Sequence, residues 1–309
     1  MIVPALETPW GTMPVADAHV HFFSRAFYAA LAAQKQCPVA SLMEMLGWPE
    51  PPEQPEALAQ TWTRELDRRG VAHAALIASI PGDEGSVIAA VKRFPQRFHG
   101  YMMVDPCAED AAASVIAALG TGCIHGLCFF PAMHRYSIQD ARVTALLDAV
   151  SAVKPGLIVF VHCGALTVGV RNKLGLPSPF DLRFSNPVDL HAVALRYPQF
   201  RFVIPHFGAG YFREALMVAD LCPNVFLDTS SSNGWMRYDD DHPDLRNVFR
   251  RALAVMGPGR LLFGSDSSFF PRGWNAAVFE TQSKALYELG IEASDALLIF
   301  HDNLIRLFS

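Results

Sequence analysis

With 309 residues, 51% of them hydrophobic, the chain can bury one large core and is of ordinary size for a single (β/α)8 barrel. A net charge of -5 and a pI near 6.1 make nucleic acid and anionic membrane surfaces poor partners. No run approaches the roughly 18 apolar residues of a membrane-spanning helix, so no membrane partner is expected.

The first residues, Met1-Ile2-Val3-Pro4-Ala5-Leu6-Glu7, carry no basic region ahead of an apolar core and do not read as a secretory signal. Beyond them, short apolar runs alternate with longer amphipathic ones, the pattern of parallel βαβ units. A strand is predicted at 15–21, followed by the long segment 22–55 and a helix at 56–69. Strand and helix then alternate: 72–80 and 84–94, 97–104 and 110–119, 122–130 and 138–153, 157–162 and 187–197, 200–206 and 211–221, 224–229 and 244–256, 260–265 and 275–289. The run Leu157-Ile158-Val159-Phe160-Val161 is apolar throughout, as in a strand buried on both faces. A closing helix is expected over 294–307, with Ser294 as its N-cap.

No domain boundary or repeat interrupts this order. The expected fold is α/β: one distorted (β/α)8 TIM-barrel domain over 1–309, with 22–55 as a cap-like insertion after strand 1. Long βα connections are uncommon unless functional, and this one leaves the face of the barrel where active sites lie. The irregular stretches 164–186 and 230–243 are expected to be further walls of the same pocket. Cys37, Cys107, Cys123, Cys128, Cys163 and Cys222 form no CxxC pair and are read as reduced, which places the protein in the cytoplasm.

His19, His21, His162, His206 and Asp266 each fall at or just beyond the end of a predicted strand. A strand-plus-helix unit takes roughly 30 or more residues, so the successive gaps from His21 to His162, from His162 to His206 and from His206 to Asp266 correspond to about four, one and two units. The residues therefore belong to strands 1, 5, 6 and 8. His19 and His21 face the same way, about 7 Å apart along the strand. Asp17, ahead of them, is expected on the other face as a structural contact. Imidazoles with one carboxylate suit Zn²⁺, and also Fe²⁺, Mn²⁺ or Co²⁺. HxH alone is weak evidence. The ordered series HxH, VHCG, PHFGAG and FGSD, each closing an apolar run, is much stronger.

These residues resemble the amidohydrolase superfamily, most closely the branch that includes hydrolases, lactonases and the aminocarboxymuconate-semialdehyde decarboxylase type. The resemblance runs from Val15-Ala16-Asp17-Ala18-His19-Val20-His21-Phe22 to His301-Asp302-Asn303-Leu304-Ile305-Arg306-Leu307-Phe308. The latter is similar to the family's closing G-x-N-A-x-R-L-F, with His301 in place of Gly and Leu304 in place of Ala. The resemblance implies that His19, His21 and His162 are metal ligands and that Asp266 is a ligand or base. It makes His206 either a further ligand or an acid that orients water. Binuclear members bridge two metals with a carboxylated lysine on strand 4. Here that strand reads Gly126-Leu127-Cys128-Phe129-Phe130-Pro131, and Lys35, Lys92, Lys154, Lys173 and Lys284 all lie elsewhere. One divalent ion is expected, Zn²⁺ first.

The implied function is hydrolysis of a small carboxylated ester, lactone or amide by metal-activated water, with Asp266 and His206 as the catalytic pair. The alternative is non-oxidative decarboxylation of an aromatic or unsaturated acid at the same site. Arg183, Arg237 and Arg272 lie on connections at the active face, where arginine can clamp a carboxylate. Trp235, with Trp48, Trp274, Phe269 and Phe22, is a candidate for stacking on a flat ring. Asp228 is expected either to line the pocket or to cap a turn. His73, His99, His125, His134, His191, His242 and His301 are read as core-edge or surface residues. A homodimer is expected, with apolar 269–271 as a subunit contact.

Overall fold

A computed structural model describes residues 4–230, 233–238 and 244–309. A short antiparallel hairpin, β1 (Leu6–Thr8) and β2 (Gly11–Met13), precedes the main sheet. The sheet holds β3 (Val15–Phe22), β4 (Val71–Ala78), β5 (Phe98–Val104), β6 (Ile124–Phe129), β7 (Ile158–Val161), β8 (Arg201–Ile204), β9 (Val225–Asp228) and β10 (Leu261–Leu262). Every neighbouring pair is parallel and in chain order. The segment after β10 closes the ring onto β3: Ala18 N–H donates to the Phe263 carbonyl at 2.8 Å and His21 N–H to that of Ser267 at 2.7 Å. The eight strands thus form a TIM barrel with helices outside.

Two apolar layers hold it. Inside, Ala16 and Ala75 face bulky Tyr101, Phe160 and Leu262, while Leu304 and Leu307 close one end from the C-terminal helix. Outside, β-branched and aromatic side chains of the strands pack against the helices around Trp62, Phe263 and Phe300. Burying side chains of this size contributes roughly 1.5–3 kcal/mol each.

The predicted strands and helices are present with shifted ends, and three places differ in kind. Segment 22–55 is not irregular. It holds helices Arg25–Lys35 and Val39–Leu46, the first capped by Ser24, whose Oγ accepts from Phe27 N–H at 3.2 Å and donates to Asp83 at 2.6 Å. Phe27, Leu31, Leu42 and Met43 of these helices form a small core with Val170 and Leu174, which belong to and follow helix Gly169–Lys173 beyond β7. The insertion therefore packs on the connection after β7. Second, the closing helix starts at Ala293, one residue before Ser294, so Ser294 is not its cap. It passes through a π-helical turn, Leu298–Asp302. Third, β10 shrinks to two residues: Phe263 N–H already donates to the Ile299 carbonyl at 3.0 Å, and Ser265 N–H to Asp17. All six cysteines are free. Among the described residues no helix is long and apolar enough to cross a membrane. His242 and parts of 230–243 lie outside the described residues.

Candidate metal centre

The site is built on an irregularity in β3. Asp17 pairs with Ala74, but Val20 pairs with Leu76, so β3 carries one residue more than β4 between these points. Strict alternation would carry Asp17 inward with His19. The extra residue breaks the alternation. Asp17 instead reaches the layer outside the barrel, where it accepts from Trp274 Nε1 (2.7 Å), Ser265 N–H (3.0 Å) and His19 N–H (2.9 Å). His19 packs edge-on against Phe160 inside the barrel, and His21 lies one pleat higher at the cavity floor.

Both imidazoles are held from behind. His19 Nδ1 lies 2.6 Å from Asp228 Oδ2, and His21 Nδ1 lies 2.9 Å from Ser79 Oγ, which itself donates to the Ile77 carbonyl. With Nδ1–H donating in each case, the two Nε2 lone pairs face one another, 3.3 Å apart. Asp266 Oδ1 stands 3.7 Å from the first and 3.6 Å from the second. All three ligand atoms lie within 4.8 Å of one another. A carboxylate behind a ligating imidazole, as Asp228 stands behind His19, is the arrangement that orients metal-binding histidines.

Burial decides the protonation states. Desolvation lowers His19 to about 3 and His206 to about 4, and it holds His21 and His162 well below the ordinary value. The imidazoles are therefore neutral at pH 7, and their contacts with Asp266 are those of a ligand set rather than of ion pairs. Desolvation at the cavity floor pushes Asp266 up to about 7, against the pull of Arg272. A cation held between these groups favours the ionised carboxylate.

His206 and His162 complete the ring of histidines. The His206 ring is 5.0 Å from that of His19 and 5.3 Å from that of His162. Ser230 Oγ sits between His19 Nδ1 (3.0 Å) and His206 Nδ1 (2.9 Å). His162 lies outside the tightest cluster. Its Nδ1 is buried with no hydrogen-bond partner among the described residues, a costly state for a polar atom unless something binds there. The backbone is strained at the same places: His206, Phe207, Ala209 and Asp266 all have φ between 45° and 55°. Such conformations cost roughly 1–3 kcal/mol each and collect at functional sites. Gly164 lets the turn after β8 come close, since a Cβ there would lie 2.1 Å from the Gly208 carbonyl oxygen.

The centre opens into a cavity of about 620 Å³. Arg272 lines it, donating to the Asp266 carbonyl at 2.9 Å. The other substrate-contact candidates point elsewhere. Arg183 is 83% exposed and pairs with Asp181, and Arg237 donates to Tyr238 at the surface. Trp235 is buried against Phe207 and Phe212, so it packs the core behind the centre. Trp48 and Phe269 do line the cavity, whereas Trp274 serves Asp17. His134, read as an edge residue, also lines it. Ser79 and Ser230 gave no signal in the sequence, because their importance lies in contacts between different strands.

The family model for amidohydrolases matches residues 16–309. Over 126 residues the chain is 30% identical to Protein fluG of Emericella nidulans, a span of 41% of this chain and 13% of that protein. A probable 2-pyrone-4,6-dicarboxylic acid hydrolase from Acinetobacter baumannii, solved with citric acid bound, superposes with a TM-score of 0.61 at 17% identity, over 96% of this chain and 99% of that one. A zinc-bound amidohydrolase from Burkholderia multivorans superposes with a TM-score of 0.60 at 18% identity, again over 96% and 99%. The structural likenesses carry the barrel. The match that begins at β3 and ends at the last residue carries the identity: the chain belongs to the amidohydrolase family.

Proposed function

We propose that this protein hydrolyses a small carboxylated ester, lactone or amide, using one divalent metal ion held by His19, His21 and Asp266 with His162 beside them. The observation that carries this reading is the convergence of two Nε2 atoms and a carboxylate within 4.8 Å at the floor of a cavity. The donor set fits a borderline ion such as zinc. The orphaned His162 Nδ1 fits a group that seeks a partner. Bound there, the ion supplies Lewis acidity, polarising a carbonyl and making water a nucleophile near neutral pH.

The chain's own residues do the rest. Asp266 takes a proton from water and returns it to the leaving group. His206 Nδ1 lies 3.2 Å from the Ser230 carbonyl, which can only accept, and 2.9 Å from Ser230 Oγ, so Nδ1 carries the hydrogen and Nε2 presents a lone pair that can join the ligand set or accept a hydrogen bond from water. Arg272, beside Asp266, offers a fork of donors to a substrate carboxylate.

The test is a screen of lactones, esters and amides against wild type and Asp266→Asn. The expected outcome is a substrate whose turnover falls about 10²–10⁴-fold in the variant, the ordinary contribution of a general base, while the circular dichroism spectrum is unchanged. Wild-type rates in Asp266→Asn would remove that residue from the role. Carbon dioxide released from an aromatic or unsaturated acid, with no hydrolytic activity, would replace hydrolysis by decarboxylation.

A further inference from the structure

Three segments distant in the sequence meet across the cavity in one stack. Lys173 Nζ lies over the Trp48 ring, 5.4 Å from its centroid. Trp48 stacks on Phe269, with centroids 3.9 Å apart and planes 10° from parallel. The guanidinium of Arg272 lies 4.6 Å from the Phe269 centroid on its way to Asp266. The order is cation, ring, ring, cation, and all four residues line the cavity. Trp48 comes from the inserted segment, Lys173 from the connection after β7, and Phe269 and Arg272 from the connection after β10.

Among the described residues neither end charge is paired with an acid in a salt bridge, although Arg272 pulls on the nearby Asp266 carboxylate. Arg272 donates to the Asp266 carbonyl and to Ser268 Oγ. Arg171, which also lines the cavity, donates to the Pro177 carbonyl and to Gln34 Oε1. Among the described residues, Asp266 is the one carboxylate that lines the cavity, and it belongs to the metal centre. Most of the remaining wall is apolar and aromatic, including Phe27, Phe130 and Phe180.

We propose that the Lys173–Trp48–Phe269–Arg272 stack sets specificity for a dianion: a flat apolar body with one carboxylate beside Arg272 and a second at Lys173. This deepens the hydrolase reading and rests on the cavity being the substrate site. The physical ground is that a cation fixed against a ring face has lost part of its side-chain entropy in advance, so an anion that meets it loses less on binding. A monoanion uses the Arg272 end alone. A dianion of sufficient length uses both ends and gains from the second.

The experiment is calorimetric titration of metal-loaded protein with two matched pairs, benzoate against terephthalate and biphenyl-4-carboxylate against biphenyl-4,4′-dicarboxylate. At least one diacid is expected to bind about tenfold tighter than its monoacid, about 1.4 kcal/mol. Lys173→Met is expected to erase that ratio and leave monoacid binding within about twofold, while Lys173→Arg retains it. Lys173 is exposed, so the variants should fold, which thermal melts check. Equal affinities within both pairs, or a ratio that survives in Lys173→Met, would overturn the proposal. Turnover is not needed for this readout. A hydrolase that takes monoanions would reject the stack's role alone, and an inactive protein that prefers diacids would reject the hydrolase reading alone.

Discussion

Gly264 sets how closely the chain after β10 can pass Asp228 and His19. A Cβ at that position would lie 2.5 Å from Asp228 Oδ1 and 2.9 Å from His19 Cβ, both fully buried atoms with no room to move. Gly264→Ala should therefore loosen the hydrogen bond that orients His19. We expect metal affinity to fall about 10–100-fold, the usual cost of losing such a supporting contact, and competition with a chelating dye would measure it. Unchanged affinity would show that Asp228 is not needed to aim the ring. The same group of residues predicts a pH dependence. Desolvation places Asp266 near pH 7, so below that value the carboxylate is protonated and must lose its proton when a cation binds. Affinity should fall as pH drops from 8 to 6. Calorimetry in buffers of different ionisation enthalpy should show more protons released at pH 6 than at pH 8. Equal release at both would mean that Asp266 is already ionised. At this scale the residues that meet at the cavity floor, His19, His21 and Asp266, were legible in the sequence, since His and Asp closing apolar runs are distinctive. Arg183, Arg237 and Trp235 were misplaced because a loop's position in the chain does not say which way its side chains turn.

Among the elements, the seam between β3 and β10 depends on Asp17. Its carboxylate gathers donors from Trp274, Ser265 and His19, and burial raises it to about 6. Asp17→Ala leaves three buried N–H groups without an acceptor. At roughly 1–3 kcal/mol each, a loss of at least about 3 kcal/mol in urea unfolding is expected. A loss under about 1 kcal/mol would mean that the seam is held elsewhere. The strands were legible from their continuous apolar runs. Asp17 does lie on the face opposite His19, as expected, but through a bulge that the sequence did not show, because register is a property of two strands and appears in neither alone. The two helices of 25–46 were hidden for a similar reason. Their apolar faces are completed by Val170 and Leu174 from a distant connection, so the segment alone looks too short and too irregular to fold.

For the molecule as a whole, the end of the barrel opposite the metal centre carries a second set of histidines. His73, His99 and His125 lie near the starts of β4, β5 and β6, and Phe308 stacks on His99 with centroids 3.7 Å apart. Desolvation lowers His73 to about 4 and His99 to about 3, below the 6.5 of an exposed histidine. Between those values and 6.5 the unfolded chain binds more protons than the folded one. Stability therefore rises with pH across that window and is lost as the pH falls through it. Asp17 and Asp228, raised to about 6, act in the opposite sense between 3.8 and 6, so a variant comparison is needed. His99→Phe keeps the stack and removes one titration. Between pH 7 and 5 it should lose less stability than wild type by on the order of 1–2 kcal/mol in denaturant unfolding. Equal losses would assign the acid sensitivity to other groups. The proposed centre requires residues from opposite ends of the chain to share one ion. Elemental analysis of purified, metal-reconstituted protein tests this most directly. About one divalent ion per chain is expected in wild type and less than about 0.1 in the His19→Ala, His21→Ala double variant, whose fold is checked by circular dichroism. A wild type that takes up no stoichiometric metal, or a double variant that keeps it, would contradict the account.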